Sequence, residues 1–177
     1  MGKVKMPVVT VRYNGLFDFD GMYAAIISWA KNYGYMWHEK TYKHKVPVPE
    51  GAEMEWVWII TKNVTEYISH EIMFTVHSWE LRDVEIEDKG KKKTLTNARL
   101  YIKIDGKLIY DWQSRFSKGG RFGQWLGKLY EKAFAKELSS VYWDQLYYRL
   151  WDLQAIMKKY FNMQSKKYAY KGYLGEH

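Results

Sequence analysis

The chain has 177 residues, 47% of them hydrophobic and 18% aromatic, with no cysteine and a net charge of +8. This length and apolar share support one folded domain with its own core and argue against disorder. The lack of cysteine excludes disulfide frameworks, thiol nucleophiles and cysteine-ligated metal. A pI near 9.4 permits attraction to an anionic partner, either nucleic acid or a membrane surface, although plain solubility is the simpler account of net charge alone.

The N-terminus "MGKVKMPVVTVRYNGLF" is basic, and no apolar run of signal-peptide length follows it. No stretch approaches the ~20 apolar residues of a spanning helix. The expectation is a cytoplasmic protein without a transmembrane segment. Val8 to Tyr13 alternates as a strand, with Val9, Val11 and Tyr13 on one face. A short helix follows in "DFDGMYAAIISWAKNYG", capped by Asp18 or Asp20 and stopped at Gly34, with Ala24, Ala25, Ile26 and Ile27 as buried candidates.

Extended segments come next. Tyr35–Val46 alternates loosely and ends at Pro47 and Pro49. Glu53–Thr61 places Met54, Trp56, Trp58 and Ile60 on one face. In "EYISHEIMFTVHSWEL", Ile68, His70, Ile72, Phe74 and Val76 share a face, opposite Met73, Thr75, His77 and Trp79. Arg82–Asp88 runs into the turn signal "KGKKK". "ARLYIKIDGKLIYDWQ" reads as a hairpin turning at Asp105-Gly106, because Asp-Gly is a favoured two-residue turn.

From about Gly123 to Phe161 the pattern is helical. A continuous helix of ~38 residues would be ~57 Å long, against a diameter of roughly 40 Å for a compact domain of this size. It must break or protrude. Trp125, Leu126, Leu129, Tyr130, Ala133 and Phe134 define one apolar face, and the pattern turns over beyond Ser139-Ser140. Trp143, Leu146, Leu150, Leu153, Met157 and Tyr160 then form a nearly opposite face with heptad spacing. Either the helix bends there and its second half packs back on its own domain, or the second face meets another subunit, or it serves a membrane or ligand surface, which Trp and Tyr also suit. The organisation is one α+β domain over 1–162, with a sheet region at 6–118, a helical region at 122–162 and a basic tail at 163–177.

No catalytic motif is present. His70 and His77 fall on opposite faces of one strand and cannot share a metal. His38 and His44 share a face but lie ~20 Å apart along a strand, so no metal site and no cofactor is expected. The acidic ladder Asp83, Glu85, Glu87 suits a solvated strand face or a hard cation. Asp111 and Arg115 suit an ion pair at the end of the sheet. Lys91, Lys92, Lys93, Lys166 and Lys167, with Tyr168 and Tyr170 interleaved, could contact phosphates and stack on bases.

Strand, short helix, antiparallel strands and a long C-terminal helix, over Met6 to Phe161, is an order that resembles the START-like or helix-grip superfamily. The resemblance implies a curved antiparallel sheet packed on the long C-terminal helix. It also implies an apolar small molecule or lipid held between them. Trp56, Trp58, His70, Phe74, Trp112, Trp125 and Leu129 would line that cavity, or large aromatics would fill it. The first functional expectation is therefore a non-enzymatic binder of an apolar ligand, or a homo-oligomer associating through Trp143–Tyr160. The second is a basic accessory protein on RNA, DNA or a nucleoprotein assembly. The third is a small enzyme using the grip, with His70 or a nearby tyrosine as acid or base.

Overall fold

A computed structural model describes residues 2–44, 51–88, 91–133 and 138–162. Six strands of these residues form one antiparallel sheet: β1 (Lys3–Lys5), β2 (Val9–Phe17), β3 (Met36–His44), β4 (Ala52–Asn63), β5 (Ile68–Asp88) and β6 (Lys91–Tyr110). The order across the sheet is β1-β6-β5-β4-β3, and β2 also pairs with β6. β1 and β2 are two pieces of one edge. Lys5 pairs with Lys107, Val9 with Ile104, and between them the Met6 N–H donates to the Gly106 carbonyl at 2.8 Å. Pro7 has no N–H to offer the ladder, which fits a break at this point.

Register stacks the alternating apolar residues into one layer. Val11 lies beside Ile102, Val76 and Trp56, and Val9 beside Ile104, Phe74 and Trp58. Onto this layer fold two helices, α1 (Phe19–Asn32) and α3 (Asp144–Tyr160). Helix α1 starts where Asp18 accepts a hydrogen bond from the Gly21 N–H at 2.9 Å. Its buried residues are Met22, Ile26, Trp29 and Ala30; of the four expected from sequence, Ile26 is buried and Ala24 is exposed. Helix α3 buries Leu146, Leu150, Leu153 and Met157 at helical spacing, with Phe161 just beyond. No helix among the described residues is long and apolar enough to cross a membrane.

Three expectations are corrected. The hairpin turn at Asp105-Gly106 is absent, and β6 runs straight through both residues. A two-residue turn there would pair Ile104 with Lys107 and send Leu108 to the face opposite Ile102 and Ile104. The apolar residues instead stay in phase from Leu100 to Leu108, as an uninterrupted strand requires. Glycine suits position 106 for close approach: a Cβ there would stand 2.9 Å from both Leu150 Cδ1 and Met6 Cγ.

Second, the two segments read as Glu66–Leu81 and Arg82–Asp88 are one strand, β5, with an irregularity between Trp79 and Arg82 where Glu80 has φ 59°. Third, no single long C-terminal helix is seen among the described residues. The region holds α2 (Gly120–Ala133), a π-helical stretch Leu138–Trp143 spanning Ser139-Ser140, and then α3. A widened turn shifts the helical phase, at the place where the sequence pattern changes face. Phe134 lies outside the described residues.

Candidate functional site

The inner face of the sheet is packed with side chains of the sheet and of α1, and a hollow of about 260 Å³ lies beside Trp56, lined also by Phe19, Met54, Leu81 and Thr96. Trp56, Trp58, His70 and Phe74 are all buried, Phe19 stacks on Trp56, and Tyr23 meets the edge of Trp58. The other expected cavity residues lie elsewhere. Trp112 is half-buried at the end of the sheet, donating from Nε1 to the Thr65 carbonyl at 2.9 Å. Trp125 and Leu129, on α2, face solvent. Helix α3 packs with α1 on the inner layer of the sheet, so the residues expected for self-association contribute to the chain's own core. Leu146, Leu150, Leu153 and Met157 are buried, and Trp143 and Tyr160 pack at the margin.

His70 sits in this interior with Nδ1 3.0 Å from the Tyr35 hydroxyl. Its Nε2 is buried without a hydrogen-bond partner. Burial, with Lys62 and Arg149 nearby, lowers its pKa to about 4, and burial pushes Tyr35 up to about 12. Both groups are therefore neutral at pH 7. An imidazole titrating so low is a weak base at that pH, and full burial leaves it no surface to present to a substrate.

The expected Asp111–Arg115 pair does not form. Arg115 pairs with Glu66 at 2.7 Å, and Asp111 accepts from the Phe116 N–H. The acidic ladder is drawn into neighbours, Asp83 to the Thr96 hydroxyl and Glu85 to Lys92. Among the described residues no group of three or more acidic or histidine side chains could hold a metal. Of the lysines expected to meet a polyanion, Lys93 pairs with Asp18 at 3.0 Å and Lys92 stays exposed. The Lys91 side chain, Lys166 and Lys167 lie outside the described residues.

The other face of the sheet carries a different chemistry. Because strand residues alternate sides, burying Val9, Val11, Leu100, Ile102 and Ile104 turns Arg12, Arg99, Tyr101 and Lys103 outward. The register sets Arg12 beside Tyr101, Tyr101 beside His77, and Asn14 beside Arg99, which adjoins Trp79. Arg12 lies 5.4 Å over the Tyr101 ring and Arg99 4.8 Å over the Trp79 ring. His77 stacks on Trp79 at 4.0 Å and is held from behind by Glu53 at 2.7 Å. Arg99 also reaches Glu80 at 3.3 Å.

Arg12, Asn14, Trp79, Arg99 and Tyr101 line an open hollow of about 670 Å³. From its rim a basic row continues along the same edge through Lys103, Lys107, Lys5 and Lys3. Asp105 stands among them, paired with Lys103, and Glu71 pairs with Lys107 from β5. Arg99 to Lys107 spans roughly 27 Å of strand. Such a face offers two stacked aromatic–guanidinium pairs at one end and ammonium groups along its length.

Sequence reasoning had placed His77 and Trp79 on this side. It missed Arg12, Arg99 and Tyr101, although their odd–even alternation with the buried residues was visible. What it could not supply was the register that brings residues from β2, β5 and β6 together. Compared with known proteins, the chain matches no family, and no curated protein aligns with it.

Proposed function

We propose that the protein is a non-enzymatic binding module that holds single-stranded nucleic acid on the face of its sheet opposite α1 and α3. The observation that carries this reading is the pairing of Arg12 with Tyr101 and Arg99 with Trp79 around one open hollow. A guanidinium held over an aromatic ring can exchange that contact for, or extend it to, the flat face of a base while its charge meets the phosphate, without regard to sequence. The basic row supplies further phosphate contacts, consistent with a net charge of +8. The kinship with the START-like superfamily is part of the same proposal and rests on the order of elements, with α3 as the gripped helix.

The test is the anisotropy of a fluorescent single-stranded oligonucleotide titrated with the wild type, Trp79→Ala and Tyr101→Ala. Stacking is worth about 1–3 kcal/mol per base, so each variant should weaken binding by roughly 5- to 150-fold. Binding left intact by both variants, or absent in the wild type at low salt, would overturn the reading.

A further inference from the structure

Helix α2 is turned inside out. The side it lays against the body is glycine: Gly123 and Gly127 are its buried residues, and a Cβ at Gly123 would collide with the Phe116 carbonyl oxygen. Two further contacts fix this orientation. The Tyr67 hydroxyl donates to Glu131 at 3.0 Å, and the Tyr130 ring meets Tyr67 edge-on at 4.8 Å. The opposite side is apolar and open to solvent, with Phe122 69% exposed, Trp125 55%, Leu129 45% and Leu126 36%. Phe122 and Trp125 stack on each other at 5.9 Å rather than on the protein.

At 100° per residue these four side chains fill an arc of about 100°. Arg121, Lys128 and Lys132 occupy a narrow stripe directly beside it, and the acid of this helix, Glu131, is on the glycine side. An apolar band edged by cations fits a surface that is apolar in depth and anionic at its rim.

We infer that α2 is a docking surface for an anionic lipid bilayer, its Phe122–Trp125–Leu126–Leu129 band entering the headgroup boundary while Arg121, Lys128 and Lys132 meet lipid phosphates and carboxylates. Amphipathic helices that lie in the membrane plane have this composition. A second copy of the chain is disfavoured because its matching α2 face carries no carboxylate for these cations. Nucleic acid would satisfy the cations but leave Phe122 and Leu129 against water. This surface lies on a different element from the sheet hollow, so it stands whether or not that face binds nucleic acid.

Co-sedimentation of the full chain tests it, with vesicles of phosphatidylcholine alone and with about a third phosphatidylserine. The wild type should pellet with the anionic vesicles, remain in solution with the neutral ones, and be released by salt. Phe122→Ala with Trp125→Ala should lose binding at least tenfold. The triple variant Arg121→Gln, Lys128→Gln, Lys132→Gln should lose roughly fivefold per cation, on the order of a hundredfold together. All these side chains are solvent-facing, so thermal melts should match the wild type. Arg12→Ala with Arg99→Ala should pellet like the wild type. A wild type that stays in solution with anionic vesicles would overturn the inference, as would Phe122/Trp125 variants that pellet unchanged. So would a wild-type dimer that Trp125→Ala converts to monomer.

Discussion

His70 shows how burial turns a titratable side chain into a pH-dependent liability. Its pKa lies near 4 in the fold and near 6.5 when exposed, so below pH 6.5 the unfolded chain binds a proton that the folded chain does not. The stability linked to this group is therefore complete above about pH 6.5. It falls as the pH drops toward 4, by an amount on the order of 3 kcal/mol. Urea denaturation of wild type and His70→Leu across that range is the check: the wild type should lose stability faster on acidification, and equal slopes would contradict the burial argument. Gly106 is the other position where one atom decides the outcome. Gly106→Ala pushes a methyl toward Leu150 and Met6 at 2.9 Å, and overpacking of this kind costs about 1–3 kcal/mol. A denaturation midpoint unchanged by this substitution would mean that α3 does not close on β6 as described.

At the scale of elements, much of the strand pattern was legible because burial on one face writes itself as alternation. β2, β4 and the first part of β5 follow it directly. The Asp-Gly dipeptide misled because its turn propensity is local, whereas the unbroken phase from Leu100 to Leu108 is dictated by the sheet beneath it. The two helical faces of the C-terminal region were equally legible; their destinations were not. Periodicity reveals that a face is apolar but not what covers it, and here the less amphipathic half, α3, enters the core while α2 faces solvent. Leu150 is accordingly a core residue, and Leu150→Ala should cost about 2–5 kcal/mol. Light scattering on the folded variant should give the wild-type mass, whatever that mass is. A drop to a smaller assembly with stability retained would return this seam to the space between subunits.

On the scale of the whole molecule, α1 and α3 pack on one face of a single sheet, and among the described residues no helix covers the other. That asymmetry gathers Arg12, Arg99, Lys3, Lys5, Lys103 and Lys107 onto one surface, which total charge alone could not reveal. The candidate site was legible only as parity within each strand, since its assembly depends on contacts between residues some 20 to 90 positions apart in the chain. The most direct measurement is the salt dependence of oligonucleotide binding for the wild type and for Arg12→Ala with Arg99→Ala. If both guanidiniums neutralise phosphates, the double variant should bind at least tenfold more weakly, and its slope of log K against log salt should shrink by roughly 1.4. A wild-type slope near zero, or an unchanged slope in the variant, would show that this face does not hold a nucleic-acid backbone.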